Sequence, residues 1–128
     1  VPASRMKAKR EHRVPLSDAA WLILESIKRV NGVNLVFPGT RGGALSDMSL
    51  TAVMRRMGVE AVPHGLRSSF RNWTAEMTSY PNEVAEMALA HTVSSATEAA
   101  YRRGDLLEKR RPMMTDWAVF ITNDFPGS

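Results

Sequence analysis

Along most of this chain apolar residues recur at steps of three and four, the mark of amphipathic helices. Over 19–30, Ala20, Leu22, Ile23, Leu24 and Ile27 leave Glu25, Lys28 and Arg29 for solvent. This predicts a helix capped by Ser17-Asp18 and closed by Asn31-Gly32. A second helix is predicted over 48–57, with Leu50, Val53, Met54 and Met57 on one face and Gly58 as its stop. A third, over 64–77, carries the stripe Leu66, Phe70, Trp73 and Met77. Tyr80-Pro81-Asn82-Glu83 opens a fourth that runs to Leu89, with Val84, Met87 and Ala88 inward and His91 at its end. Ser94-Ser95-Ala96-Thr97-Glu98 caps a short fifth helix that passes Tyr101 and stops at Gly104. A last helix over 106–121 bears Leu106, Leu107, Met113, Met114, Trp117 and Phe120, and Pro112 predicts a break or bend within it. Two stretches lack the helical period. Residues 5–13 are dense in charge and lead into Val14-Pro15-Leu16, which predicts a small basic β-hairpin. Leu35-Val36-Phe37 is a short apolar run ended by Pro38-Gly39, with a turn-rich loop over 40–43. No repeat or long linker divides the chain, so the expectation is one domain over 1–128, mainly α with a small β-hairpin or sheet near the N-terminus.

Composition narrows the class of protein more than its function. With 128 residues, 44% hydrophobic and 23% charged, the chain is large enough to bury a core and ordinary for a globular domain. A net charge of +4 and a pI near 10.0 favour a polyanionic partner without choosing between nucleic acid, an anionic membrane surface and no partner at all. The absence of cysteine excludes a disulfide framework and a thiolate metal site, and suits a reducing cytoplasm. No apolar run approaches the roughly 18 residues that span a bilayer, and Val1-Pro2-Ala3-Ser4 lacks the apolar core of a signal peptide. The expectation is therefore a cytoplasmic chain with no membrane partner. Its start without methionine, directly in a patterned basic segment, reads as a fragment of a longer protein.

Candidate chemistry lies in the second half. His64-Gly65-Leu66-Arg67, Leu89-Ala90-His91 and Ala99-Ala100-Tyr101-Arg102-Arg103 put two imidazoles, a guanidinium and a phenol into one basic region. A guanidinium grips two phosphate oxygens with a planar fork of donors, and a histidine donates to a third or shuttles a proton near neutral pH. A phenol becomes a covalent nucleophile once its proton is removed or its anion stabilised. His64 and Arg67, three apart, share one side of a first helical turn whose free amides already favour an anion. Taken singly each residue has a plainer role: Tyr101 as a half-buried packing residue, Arg67 as the partner of a carboxylate such as Glu60 or Glu76, His64 as a helix-start residue. Tyr80, before Pro81, keeps the packing role. His12, His64 and His91 are too far apart in sequence to resemble a zinc site, so no metal is expected.

As an ordered set, these boxes resemble the catalytic domain of the tyrosine recombinases, the phage integrase family, and most of all the prophage integrases that insert genetic islands. Met6-Lys7, His12-Arg13-Val14-Pro15-Leu16-Ser17 and Glu108-Lys109-Arg110-Arg111 extend the likeness over nearly the whole chain. The resemblance implies a site-specific recombinase that cleaves and rejoins duplex DNA through a 3'-phosphotyrosyl intermediate, with no cofactor, acting as a homo-tetramer at attachment sites on the bacterial nucleoid. By the same resemblance Tyr101 attacks the phosphorus, Arg67 clamps the non-bridging oxygens, His64 assists proton transfer and His91 donates a hydrogen bond to the phosphate. Lys7 protonates the departing 5'-hydroxyl, with Lys9 as its rival. Lys9, Arg10, Arg13, Arg102 and Arg103 contact DNA. The last helix packs either in cis or against a neighbouring protomer.

One departure bears on activity. The family uses a second, earlier arginine in a helix upstream of the hairpin, and neither Arg5 nor Arg10 stands in that context. The chain is thus expected to be the C-terminal part of an integrase catalytic domain, lacking the arm-binding and core-binding domains and the first catalytic helices, and to cleave little by itself. The alternative readings are a non-catalytic DNA-binding module and a helical protein-interaction domain.

Overall fold

The computed structural model describes residues 1–91 and 104–123, and within them the protein is mainly helical. A 3-10 turn, Ala3–Arg5, is followed by α1 (Asp18–Ser26), α2 (Ser49–Arg56), α3 (Pro63–Met77), α4 (Asn82–Ala88) and α5 (Leu107–Asn123). The predicted fifth helix, with Tyr101, Arg102 and Arg103, lies outside the described residues, as does the tail beyond Asn123.

The predicted basic hairpin is not formed: the described residues contain no strand. Residues 2–9 are instead drawn into successive four-residue turns, with Arg5 N–H donating to Pro2 C=O, Met6 to Ala3 and Lys9 to Met6. Only Val1 and His12 exchange backbone hydrogen bonds, at 2.8 and 2.9 Å, so pairing stops at one rung. The physical reason is composition. Lys7, Lys9, Arg10, Glu11 and Arg13 supply neither the β-branched nor the aromatic residues that pack on a pleated surface, and Lys9 adopts a left-handed φ of 52°.

α1 starts where expected, with the Ser17 hydroxyl accepting from Ala20 N–H at 3.3 Å, but ends at Ser26 rather than near residue 30. The Ser26 hydroxyl donates to Ile23 C=O at 2.7 Å and takes the acceptor that Ile27 N–H needs to continue the helix. Gly32, at φ 78°, therefore closes a later turn. α2 ends as predicted: Gly58, at φ 70°, donates to Arg55 C=O and Val59 N–H reaches back to Met54 C=O, a Schellman motif. Yet much of the apolar surface of these two helices stays uncovered, with Leu22, Ile23, Leu50 and Met57 all more than half exposed, while Leu24 and Met54 are half-buried.

The core lies elsewhere. Phe70 and Trp73 of α3, Val84 and Ala85 of α4 and Met113 of α5 are buried together, with Leu89, Trp117 and Phe120 packed around them. Trp117 meets Phe70 edge-on at 5.4 Å and lies 5.1 Å from Trp73, so α5 packs on α3 and α4 of its own chain. α5 runs through Pro112 without the break that was one of the two expectations there, and the N–H donor that the proline removes, that to Glu108 C=O, lies on the exposed side of the helix.

At the start of α5 the Arg110 side chain, 1% exposed, donates from Nε to Asp105 C=O at 2.8 Å and from Nη1 to Arg13 C=O at 2.7 Å. Arg13 in turn donates to both Asp105 carboxylate oxygens at 2.7 and 2.9 Å. These bonds fasten the basic N-terminal segment to the residues just after the stretch that holds Tyr101.

Candidate active site

The N-terminus of α3 follows from Val62-Pro63. Val62 is extended, as a residue before proline must be, and Pro63 occupies the first helical turn, where its missing N–H costs nothing. No acidic side chain lies in that turn, so its partial positive charge is not neutralised from within. His64 and Arg67 stand exposed there, and Arg67 Nη2 donates to Leu89 C=O at 2.6 Å rather than to Glu60 or Glu76. The guanidinium is thereby held against the C-terminal end of α4.

That end is a second Schellman motif. Ala90 N–H donates to Met87 C=O at 3.1 Å and His91 N–H to Glu86 C=O at 3.0 Å, while Ala90 takes a φ of 54°. The reversal lays His91 back over the helix, so that its Nδ1 lies 2.7 Å from Glu86 Oε2. The other oxygen, Glu86 Oε1, accepts from Arg71 Nε at 2.6 Å, and Arg71 Nη2 also donates to Asn82 Oδ1. α3 and α4 run antiparallel, so Arg67 reaches the end of α4 while Arg71, one turn later, braces its beginning and middle. Burial resists ionisation of Glu86, but the hydrogen bonds and charges of His91 and Arg71 outweigh it and hold the carboxyl below its ordinary range.

Geometry of this kind, a guanidinium and an imidazole held at one helix end within a basic chain, suits an anion. The phage integrase family model matches residues 1–106. The chain belongs to the phage integrase family. It is 38% identical over 133 residues to prophage integrase IntA of Escherichia coli (strain K12), across 100% of this chain and 32% of that protein. To the integrase of Enterobacteria phage P4 it is 32% identical over 91% of this chain and 28% of the relative, and to the integrase of Shigella phage Sf6 28% identical over 94% and 33%. It thus spans about a third of the length of the curated relatives it matches. No solved structure matches it.

Within this phage integrase chain the expected site residues are only partly assembled. Arg67 and His91 are brought to one end of α4, and His64 lies one turn from Arg67. Lys7, Lys9 and Arg10 are exposed in the N-terminal segment, and no hydrogen bond or ion pair among the described residues links them to that end of α4. Arg13 is engaged by Asp105. Tyr101, Arg102 and Arg103 fall outside the described residues. The other tyrosine, Tyr80, donates to Asp116 Oδ2 at 2.5 Å, and burial together with that carboxylate pushes its hydroxyl up to about 12. It is a hydrogen-bonded packing residue.

Sequence reasoning missed Arg71, Asn82 and Glu86. The 15 residues between Arg71 and Glu86 span the interruption between α3 and α4, and the five between Glu86 and His91 run past the end of α4, so helical spacing pairs neither. They become contacts only through antiparallel packing and the reversal at Ala90. The available hint was Arg71 itself, four residues after Arg67 and so on the same side of α3. Among the described residues no helix is long and apolar enough to cross a membrane.

Proposed function

We propose that this chain carries most of the catalytic residues of a site-specific tyrosine recombinase, as part of the catalytic domain of a prophage or genomic-island integrase. Tyr101 attacks the scissile phosphorus, forming the 3'-phosphotyrosyl bond as the bond to the 5'-oxygen breaks. Lys7 gives that oxygen its proton, and a later attack by a 5'-hydroxyl reverses the exchange, so strands are rejoined without nucleotide or metal. Arg67 and His91 bind the non-bridging oxygens and stabilise the charge of the transition state, and His64 assists proton transfer. Duplex DNA at attachment sites is the substrate, a homo-tetramer on DNA the working assembly and the bacterial nucleoid its place. Lys9, Arg10, Arg13, Arg102 and Arg103 supply phosphate contacts, Arg13 only after its pairing with Asp105 is exchanged.

The observation that carries this reading is the joint placement of Arg67 and His91 at one end of α4 in a member of the phage integrase family. Support for Tyr101 as nucleophile comes from the two-tyrosine composition, since Tyr80 is held as a neutral phenol by Asp116. The test uses a protein of the relatives' length that carries these 128 residues intact, incubated with nicked DNA duplexes of randomised sequence. Covalent adducts are recovered under denaturing conditions and mapped by peptide mass spectrometry. We expect the adduct on Tyr101, lost in Tyr101→Phe and kept in Tyr80→Phe. Salt-sensitive DNA binding with no adduct would instead identify a non-catalytic DNA-binding module.

A further inference from the structure

Glu86 meets His91 twice, by its backbone carbonyl and by its carboxylate, and meets Arg71 with the remaining oxygen. This doubled attachment fixes the ring rather than merely touching it. Arg71 is itself tied to Asn82, so the chain of contacts runs from the first turn of α4, through α3, to the histidine beyond the end of α4. We propose that Glu86, oriented by Arg71, is a positioning residue that holds the His91 imidazole with its proton on Nδ1 and leaves Nε2 as the only ring atom available to a phosphate oxygen. The proposal rests on the reading of His91 as a phosphate ligand and names what prepares it.

An ionised carboxylate only accepts, so the 2.7 Å contact with Glu86 Oε2 requires the proton on Nδ1. Which nitrogen of a histidine is protonated is set by the bond the other one makes. A neutral ring of this tautomer offers a lone pair at Nε2, which an anionic oxygen repels. The ring donates to phosphate from Nε2 only when it carries both protons, and Glu86 then serves as its counter-charge. Among the described residues, the charged and titratable groups at this end of α4 are Glu86, Arg67 and Arg71 on α3, and His12, beside the Ala88 backbone. Of these only Glu86 is negative.

Nitrogen-15 NMR of the labelled 128-residue chain decides the matter, with His91→Gln to assign the signals. We expect neutral His91 to show a protonated Nδ1 and an unprotonated Nε2, the reverse of the form ordinary for histidine in water. Glu86→Gln, similar in volume, can turn its amide to donate to Nδ1 and should move the proton to Nε2, while thermal melting verifies that the variant is folded. In the longer protein the same substitution should slow adduct formation about 10- to 100-fold, the range for loss of a partner that orients a functional histidine, with DNA affinity retained. A wild-type His91 protonated on Nε2, or a tautomer unchanged in Glu86→Gln, would overturn the proposal. Failure of the wild-type protein to form any adduct would count against the recombinase reading alone, because the NMR result stands without it.

Discussion

Ala90 occupies a position for which glycine is the usual residue. At φ 54° its Cβ crowds the backbone, whereas the equivalent position after α2 is filled by Gly58 at φ 70°. The two motifs share their hydrogen bonds and differ in side chain, so at Ala90 those bonds hold His91 over Glu86 against a backbone strain that Gly58 does not carry. Relief of a left-handed conformation is worth about 1–2 kcal/mol, and the added freedom of glycine in the unfolded chain offsets part of that. Ala90→Gly should therefore raise stability by roughly 0.5–1 kcal/mol, read as a higher urea midpoint at unchanged slope. A lowered midpoint would mean that the alanine methyl packs more than it strains. The box Leu89-Ala90-His91 was legible as a helix end; its sharp reversal was not, because the glycine that would announce it is missing.

Among the helices, periodicity located α1 to α5 and named most of the buried face of α3 and α4. It did not say which faces would be covered. Phe70 and Trp73 are buried because α4 and α5 lie over them, while Leu66 and Met77, in the same stripe, extend beyond that cover. The stripe of α2 meets no such cover and stays largely exposed. Met113 is the residue of α5 sealed most completely by α3 and α4. Met113→Ala leaves a cavity among Phe70, Trp73, Val84 and Ala85 and should cost about 2–5 kcal/mol. Chemical denaturation of the variant tests this, and a change below about 1 kcal/mol would show the site collapsing around the smaller side chain.

For the molecule as a whole, the ionic contacts predict a direction of acid sensitivity. Burial, then the charge of Arg110, lowers the pKa of His12 below 6.5. The Arg13 hydrogen bond leads in lowering Asp105 below 3.8, and Glu86 is held below 4.5. All three shifts are downward, so the unfolded chain binds more protons and stability falls on acidification. The His12 contribution is complete above pH 6.5 and is lost as pH falls through its lowered value. Those of Glu86 and Asp105 are complete above their ordinary values and lost below them. Melting temperature should thus decline in two stages from neutral pH into the acid range, and His12→Gln should remove the first. A melting temperature that rises between about pH 7 and pH 5 would contradict these shifts.

The sequence by itself determined where α1 to α5 lie, the cap at Ser17, the stop at Gly58 and the family, because each depends on local spacing or on an ordered set of short boxes. Tertiary structure alone decided where the basic segment near the start is anchored, since the Arg13 side chain pairs with Asp105 and its carbonyl accepts from Arg110, both more than 90 residues away. It also decided that Arg67 meets Leu89 and that Glu86 and Arg71 stand behind His91. Those contacts join residues of two separate helices, which spacing along the chain cannot pair, and only the antiparallel packing of α3 on α4 makes them neighbours.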